Sequence, residues 1–593
     1  MAVSFNQIPD NLRVPFAWFE FNPSRAPYQT ISRLLLIGQK TSAGSAVADV
    51  PIIVAGGEDG LFGVGSQLAA MYDIARANAP FQEIWCLPLA DAAGGAAATG
   101  SFAFPAYAPL ARSGSLILYV GGKRIAVPVN TLMTNYQMAT ALRDAINACP
   151  KIQVSAVAVA GVKGAVTVSY TLNAPGSNQT LPVTVNGILY SVPILAADTS
   201  AQIAAKVAAA IDSRCGFTAA ANVADVTFTA ISAGVWANTR QVSTWSAALN
   251  TLTNHNVANG TNDVVNITAI NKGTLGNGIR IETRMLRDDS ELSDQILSIT
   301  QMSGGSGDPL ITSAVTGLGD DLWDFVVMPY AQAAYLDQIE AWLSARWAPI
   351  QQTYGLNFTA MVGKTFGEVQ AFFSSRNSQF TFPVAMYNSP QPAELLAAAW
   401  GAQAAAHLQA PPELSRRLGT LQLIGIRPPK NFNDVWTTVQ RQSFYYAGLG
   451  SYFVTREGTV HIDRMLSTYQ RDVNGNPDQS FMRVNTLAQA MYGIRFMKAY
   501  IEQTFPRCAL VNDNPDRLQN FVTASDIHDA IVHAYRQLES LGVFENSELF
   551  ARLLIVERSE QDPDRVNAYI PVDHVNQFEI FAGNVTSHLQ FSQ

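Results

Sequence analysis

The sequence has few charged residues for its length and no block of basic ones. Charged residues make up 14% of the 593 positions, the formal net charge is −8, and apolar residues make up 48%. A protein that neutralises many phosphates carries clustered Lys and Arg, so this composition argues against direct nucleic-acid binding. The apolar content is too high for disorder, and the shortage of charge indicates that much surface is buried against other subunits.

Cysteines and long apolar runs are also scarce. The four cysteines form no C-x-x-C pair and are too few for a disulfide framework, so we interpret them as core residues of a protein made in a reducing cytoplasm. The first residues lack the charged and apolar blocks of a signal peptide, and no stretch approaches the ~18 apolar residues of a membrane span. The sequence therefore predicts neither export by that route nor membrane insertion.

No pattern of a catalytic or cofactor site is complete. Gly363–Thr365 resembles the end of a phosphate-binding loop, but Phe358 occupies the position of the first glycine that this loop requires. His528 and His533 are spaced by more than one helical turn and do not fit a zinc-binding H-E-x-x-H motif. No G-x-S-x-G elbow occurs. We predict no catalytic, cofactor-binding or metal-binding residues, which favours a role in assembly.

An internal repeat lies in the first half of the chain. The stretch YVGGKRIAVPV from Tyr119 aligns without gaps with TVNGILYSVPI, which starts 65 residues later at Thr184. Each unit predicts two short strands around a Gly turn, then a helix and a further strand. A second echo relates VTFTAISAGVWAN from Val226 to VNITAINKGTLGN from Val265. Together these predict a duplicated small α/β module inserted at 108–280.

Strands and helices alternate in the region after this insertion. DFVVMPY predicts a strand, and Leu336, Ile339, Leu343 and Trp347 mark one apolar face of the helix that follows. Two more strands and an Ala-rich helix at 393–408 come next. This alternation predicts a mostly parallel α/β sheet with helices on its faces.

The C-terminal third predicts a hairpin and two long helices. SYFVTREGTVHIDRM reads as a hairpin that turns at Glu457 and Gly458. The helices are predicted at 486–504 and 525–541, the second starting at a Ser525 cap and stopping at Gly542.

Both ends of the chain carry apolar residues in extended segments. The C-terminal runs NQFEIFA and VTSHLQF alternate as β-strands do, and terminal residues fray unless a sheet takes them up. We therefore predict that both ends are inter-subunit arms. The candidate arm residues are Phe16, Trp18, Phe19, Phe21, Phe578, Ile580, Val585, Leu589 and Phe591. Candidate hinges are Pro15, Pro23, Pro571 and Gly583.

The order of several segments resembles a known family. RLLLIGQKTSAG, GLFGVGSQLAAMYDIARANAPFQEIWCLPL, the turns SAGVWAN and KGTLGNGI, and PDQSFMRVNTLAQAMYGIRFMKAYIE are similar to segments of tail sheath proteins of contractile bacteriophages. Mu-like phages are the nearest match. The resemblance covers most of 1–105 and 270–593. It implies a core domain made from both chain ends around an inner tail tube, with inserted domains facing outward.

The predicted fold is multidomain, of the α/β and α+β classes. It has a mostly parallel α/β core domain formed with both chain ends, plus the inserted duplicated module. The predicted domains are an N-terminal extended arm at 1–22, the first part of the sheath core at 23–107, the insertion at 108–280, an α/β sheath middle domain at 281–430, a C-terminal sheath core domain at 431–575 and a C-terminal strand arm at 576–593.

The resemblance also implies a function and a set of partners. We expect a sheath subunit that polymerises helically around the tail tube and contracts to drive the tube through the host envelope for genome delivery. Its expected partners are other copies of itself, the tail tube protein, and baseplate and tail terminator proteins. We expect it in the virion tail, assembled in the bacterial host cytoplasm. The alternatives are another phage tail or baseplate structural protein, which forms a ring or fixed stack, and a phage-encoded hydrolase.

Overall fold

A computed structural model describes residues 32–105, 112–246, 251–516 and 518–587. The described chain divides into two compact units. One unit contains 408–417 and 485–587, and the other contains 32–407 and 418–484. The fold is mixed α/β with several separate sheets, in agreement with the predicted class.

The β-strands of the described residues are named in chain order. They are β1 (Arg33–Gln39), β2 (Ile52–Ile53), β3 (Glu83–Leu89), β4 (Ala97–Phe104), β5 (Gly114–Val120), β6 (Lys123–Val129), β7 (Val154–Val159), β8 (Ala165–Ser169), β9 (Gln179–Val185), β10 (Ile188–Ile194), β11 (Phe217–Asn222), β12 (Asp225–Ala230), β13 (Gln241–Ser246), β14 (Thr251–Asn256), β15 (Asp263–Lys272), β16 (Ile281–Thr283), β17 (Ser298–Ser303), β18 (Phe325–Val327), β19 (Leu356–Val362), β20 (Thr381–Met386), β21 (Ser451–Val454), β22 (Val460–Arg464), β23 (Ala509–Leu510), β24 (Phe521–Val522), β25 (Ile555–Arg558) and β26 (Val566–Tyr569).

The α-helices are named in the same way. They are α1 (Glu58–Phe62), α2 (Gln67–Asn78), α3 (Asn135–Asn147), α4 (Ser200–Ala210), α5 (Leu292–Ile296), α6 (Thr312–Thr316), α7 (Ala333–Arg346), α8 (Phe366–Ser374), α9 (Ala393–His407), α10 (Thr438–Tyr446), α11 (Val484–Thr504), α12 (Ala524–Ser540) and α13 (Ser547–Leu553).

A six-stranded sheet forms the centre of the larger unit, in the order β2-β3-β1-β18-β19-β20. Strands β1, β3, β18, β19 and β20 run parallel, and β2 is antiparallel to β3. The apolar runs Leu34–Ile37 and Phe325–Val327 are buried, as expected for parallel strands covered on both faces. The sheet draws its strands from Arg33 to Met386, so the described C-terminal end adds no strand to it, contrary to the predicted contribution of both chain ends.

Two helices of this unit agree with the predicted ones. The Ala-rich helix α9 is buried on all sides and contacts α2, β18 and β19, as expected for a helix that is apolar all round. Helix α7 buries Leu336, Ile339 and Leu343 on one face. Trp347 follows the last turn as the C-cap residue instead of lying inside the helix. The predicted hairpin is also present, since β21 pairs antiparallel with β22 and Gly458 has a φ of 80° in the turn.

A first small module is built from β4 to β7, α3 and β15 to β17. Its strands form one sheet in the order β17-β4-β15-β7 and another in the order β16-β5-β6. Phe102, Leu116, Met138, Leu142 and Ile267 belong to the core that these elements enclose. The module uses strands on both sides of the predicted insertion limits, because β4 and β17 pair with each other and β4 also pairs with β15.

A second small module, built from β8 to β14 and α4, lies between β7 and β15 in the chain. Its sheets have the orders β11-β12-β8 and β10-β9-β13-β14, and its core is a separate cluster. The two modules share the succession of two strands, a helix and a further strand. Both helices begin with a reciprocal cap between a Thr and a Gln, Thr134 with Gln137 and Thr199 with Gln202.

One side-chain contact recurs in both modules. Asn238 donates its Nδ2 hydrogen to the carbonyl of Gly260 at 2.9 Å, and its Oδ1 accepts from the Gly260 amide at 2.8 Å. Asn277 and Gly305 make the same pair of bonds at 2.9 and 2.8 Å. Only glycine fits, because a Cβ at Gly260 or Gly305 would lie 2.4 Å from a backbone carbonyl oxygen.

These contacts give the first prediction. Asn238→Ala and Asn277→Ala each remove two hydrogen bonds, so each is expected to lower the free energy of unfolding by about 1–2 kcal/mol. Chemical denaturation measures the free energy of unfolding, and hydrogen exchange shows which module is destabilised. Asn→Asp at the same position keeps the acceptor and loses the donor, so it is expected to have a smaller effect. Equal stability of the Ala variants and the parent protein would contradict the role of this contact.

The smaller unit is built around α11, α12 and α13. Phe496, Ile531, Leu538 and Phe550 belong to its buried core. Helix α12 begins one residue before the predicted start, because its N-cap is Thr523, in a reciprocal pair with Asp526, and not the predicted Ser525. The helix ends as predicted, with Gly542 at a φ of 74° just beyond its last turn.

Candidate assembly surface

The C-terminal segment 573–577 is fixed beside the loop that follows α12. The amide of Glu545 donates to the carbonyl of Asp573 at 3.0 Å, and the amide of Val575 donates to the carbonyl of Val543 at 3.3 Å. Phe544 and His574 form an antiparallel bridge between these bonds. We call 573–577 the seat of the C-terminal end.

Tyr535 on α12 contacts the seat through its hydroxyl group. Its hydroxyl donates to the carbonyl of Glu545 at 2.7 Å and accepts from the amide of Asp573 at 3.0 Å. Its ring stacks on Phe550, with centroids 3.7 Å apart, and on Phe544. Burial raises the pKa of Tyr535 to about 12, so the hydroxyl keeps its proton for these bonds.

Two glutamines secure the last residues of the seat. Gln489 on α11 is buried, and its Nε2 donates to the carbonyl of Val575 and to the Ser415 hydroxyl, both at 2.9 Å. Gln577 is 8% exposed, and its Nε2 donates to the same Val575 carbonyl at 3.2 Å. The chain is therefore fixed as far as Gln577.

The segment after the seat is exposed. We call 578–587 the tail. Its large apolar residues are Phe578 (72% exposed), Ile580 (76%), Phe581 (84%) and Val585 (91%). The structure assigns no strand to the tail, so the β runs predicted at this end do not form within the described part of a single chain. Phe578, Ile580 and Val585 are predicted arm residues, whereas Phe581 was not predicted because it breaks the simple alternation of a strand.

The remaining predicted arm and hinge residues differ in their placement. Leu589, Phe591, the N-terminal aromatics Phe16, Trp18, Phe19 and Phe21, and the hinge candidates Pro15 and Pro23 lie outside the described residues. Pro571 precedes the seat, and its role as a hinge stays a prediction. Gly583 lies within the tail, where its role stays a prediction.

The hairpin of β25 and β26 is the second notable surface of the same unit. Ile555 and Tyr569 lie directly opposite each other across the two strands, and both side chains are mostly exposed. Leu553, Ile570 and Val572 add exposed apolar area next to it. A two-stranded ribbon is marginally stable alone and offers unpaired edges. This hairpin was not predicted; its strands have the sequences IVER and VNAY and lie on either side of a polar turn.

The geometry of the seat gives a second prediction. Tyr535→Phe keeps the stacked ring and leaves the Glu545 carbonyl and the Asp573 amide without the hydroxyl. We expect a loss of about 1–3 kcal/mol in the free energy of unfolding and faster amide exchange at 573–577. Tyr569→Phe, which changes an exposed hydroxyl, is the matched control and is expected to leave both unchanged. Identical exchange in the two variants would rule out the role of Tyr535.

The motifs considered for chemistry have structural roles. Thr365 caps helix α8 in a reciprocal pair with Glu368. His528 and His533 contact different residues: His528 contacts Asp529, and His533 contacts Gln537. In the ranges that the structure describes, no three His, Cys, Asp or Glu residues form a group suited to a metal ion. No described helix has the length and apolar character needed to cross a membrane.

Comparison with known proteins shows that the chain is similar to tail sheath proteins. A family model of the phage tail sheath C-terminal domain matches residues 476–587, which include the seat, the hairpin and the tail. The tail sheath protein of the Mu-like prophage FluMu of Haemophilus influenzae is 28% identical over 98% of this chain and 99% of its own length.

Two solved structures are also similar. The sheath tail protein of Listeria innocua aligns with a TM-score of 0.40 at 10% identity, over 92% of this chain and 93% of that chain. The contracted helical sheath of the anti-feeding prophage aligns with a TM-score of 0.28 at 12% identity, over 45% of this chain and 69% of that chain.

The sequence matches confirm the predicted resemblance to tail sheath proteins of the Mu-like kind. The prediction of a structural protein instead of an enzyme is confirmed with it, since both the matched family and the curated relative are tail sheath proteins.

Proposed function

We propose that this chain, a phage tail sheath protein of the Mu-like kind, is the subunit of a contractile sheath. Copies polymerise into a helical tube around the tail tube, and contraction of that tube drives delivery of the genome through the host envelope. The subunit acts in the virion tail after assembly in the host cytoplasm. Its further partners are the tail tube protein, the baseplate and the tail terminator.

The observation that carries the proposal is the pairing of an exposed tail with an incomplete ribbon. The tail leaves the seat with Phe578, Ile580 and Phe581 exposed, and the β25–β26 hairpin presents exposed Ile555 and Tyr569. An extended peptide that adds to a sheet edge gains main-chain hydrogen bonds and places alternate side chains in apolar contact. We propose that the tail of one copy adds to the hairpin of another.

This coupling suits a polymer that must shorten without breaking. A head-to-tail contact that does not close on itself produces an open helix from one kind of subunit. Because the chain is fixed as far as Gln577, the donated strand can stay in its neighbour while the body turns about the first tail residues. Both chain ends act in this way in the proposal, with the N-terminal aromatic segment as the second arm.

Contraction needs two packings of the same subunit, of which the extended one is higher in free energy. Burying a few hundred Å² more apolar surface in the short form releases several kcal/mol per subunit, at about 25 cal/mol per Å². Summed over a sheath, this energy drives the inner tube forward. Subunits that stay linked through their strands transmit the change from one layer to the next.

Electron microscopy of the purified full-length protein tests the proposed function. Wide, hollow, striated tubes that convert to a shorter and wider form are expected. Rings or a stack of fixed length would instead identify another tail or baseplate component. A protein that does not polymerise under conditions in which other sheath proteins form tubes would contradict the proposal.

A further inference from the structure

The crevice at the carboxyl ends of the parallel strands is occupied by the chain itself. In open α/β sheets, ligands bind where neighbouring strands lead to opposite sides, which in this sheet is between β1 and β18. Here the end of β15 and the turn that follows it, together 271–276, enter from the first module. The Nε2 of Gln39, the last residue of β1, donates to the carbonyl of Lys272 at 2.9 Å.

Asn271 takes the place that a ligand has in such a crevice. Its Oδ1 accepts from the amide of Gln67 at the start of α2, at 2.8 Å, and its Nδ2 donates to Asp91 Oδ1 at 2.9 Å. The Gln39 side chain also donates to Asp91, at 2.7 Å. The first module is thus docked on the sheet through polar side chains that are hydrogen-bonded to one another and to the backbone.

Glu394 at the start of α9 is the exception in this crevice. The residue is 2% exposed, and its Oε1 accepts from Nε2 of Gln153 in the first module at 2.9 Å. No protein donor among the described residues reaches its Oε2. Beside it lies a cavity of about 20 Å³, large enough for one water molecule, lined by Gln39, Gln67 and Gln153.

A carboxyl group in this position is destabilising when it ionises. It is out of contact with bulk water, and its own backbone amide and the Gln153 side chain offset only part of its lost hydration. Burial therefore raises the pKa of Glu394 to about 7. The charged groups around the crevice are Asp91, Asp308 and Lys272, and the Lys272 ammonium is directed to the Ala93 carbonyl, so it does not neutralise Glu394.

We propose that Glu394 is a proton-controlled latch for the first module. When Glu394 is protonated, the module stays docked in the crevice through Gln153 and the carboxylic acid. When Glu394 is ionised, the buried charge favours states in which the 271–276 turn has lifted and water reaches the carboxylate. Because the second module is attached through the first, the latch sets how firmly both are held to the sheet.

The direction of the pH effect follows from the two pKa values. An exposed Glu has a pKa of about 4.3, and the docked group has a pKa of about 7. The docked state therefore binds the extra proton between these values, so docking is firmest at the acid end and weakens as pH rises to 7. Above pH 7 both states are ionised and the effect is constant.

Hydrogen exchange of the full-length protein, followed by mass spectrometry and corrected for intrinsic rates, tests the latch. From pH 5.5 to 7, opening at 265–279 is expected to increase roughly fifteenfold in the parent protein, since one proton gives up to tenfold per pH unit and the docked group is half ionised at pH 7. Glu394→Gln is expected to abolish this dependence. Peptides at 217–230 in the second module's own core serve as the internal control and are expected to show none.

A second variant decides the matter if Glu394→Gln does not fold. Gln153→Leu removes the donor to Oε1, so the ionised form is less stable and the pH dependence is expected to move to higher pH. A parent profile that is flat, a Glu394→Gln profile like that of the parent, or a Gln153→Leu profile that does not move would each overturn the latch.

Discussion

Deleting 578–593 is expected to leave a folded subunit that forms no tubes. The cut falls after Gln577, which is buried and hydrogen-bonded in the seat, so the deletion removes described residues that are exposed except for the half-buried Glu579. The tail's Phe578, Ile580 and Phe581 stabilise a contact with another copy by about 1.5–3 kcal/mol each when buried, and the added strand contributes its main-chain bonds. Without the apolar burial and the main-chain hydrogen bonds of the tail, the contact between copies is expected to be too weak for tubes to form.

The experiment compares negative-stain micrographs with thermal unfolding of the same samples. The unfolding midpoint is expected to stay near that of the full-length protein, while tubes disappear. As a matched control, Phe578, Ile580 and Phe581 are replaced together by Ser in the full-length chain, which keeps the length and is expected to abolish tubes as well. Tubes of normal length from the truncated protein would refute the role of the tail.

A charge on the acceptor hairpin is expected to have a comparable effect from the other side of the contact. Ile555→Lys or Tyr569→Lys places an ammonium on an exposed surface of the free subunit, where it costs little. In the proposed polymer the same ammonium is buried beside an incoming strand. A loss of about 3 kcal/mol or more makes subunit addition roughly a hundredfold weaker.

The critical concentration for tube formation measures this effect. Val223→Lys is the matched control, since Val223 is an exposed aliphatic residue of the second module, which belongs to the larger unit and not to the unit that carries the hairpin. It is expected to leave the critical concentration unchanged. An equal effect of all three substitutions would show that added charge, not the hairpin, opposes assembly.

Local patterns predicted much of the fold because they depend on neighbouring residues. The turn at Gly458 and the stop at Gly542 follow from the left-handed backbone that glycine adopts easily. The buried face of α7 follows from apolar spacing. The start of α12 was misplaced because Thr523, Ser525 and Asp526 are all good capping residues, and only the geometry shows that Thr523 bonds to Asp526.

Contacts between distant residues could not be predicted in this way. Gln67 and Asn271, or Gln489 and Val575, meet because the chain brings separate elements together, and neither pair has a local signal. The tail was identified by its apolar residues, but the sequence could not show that no described residue of the same chain pairs with it as a strand. The β25–β26 hairpin was missed because its strands are short and its apolar residues alternate weakly.

A cryo-electron microscopy reconstruction of the native tubes tests the central claim most directly. Residues after Gln577 are expected to be traced as a strand paired with the hairpin at 555–569 of a neighbouring copy. A tail that folds back onto the hairpin of its own subunit, with no strand shared between copies, would contradict it.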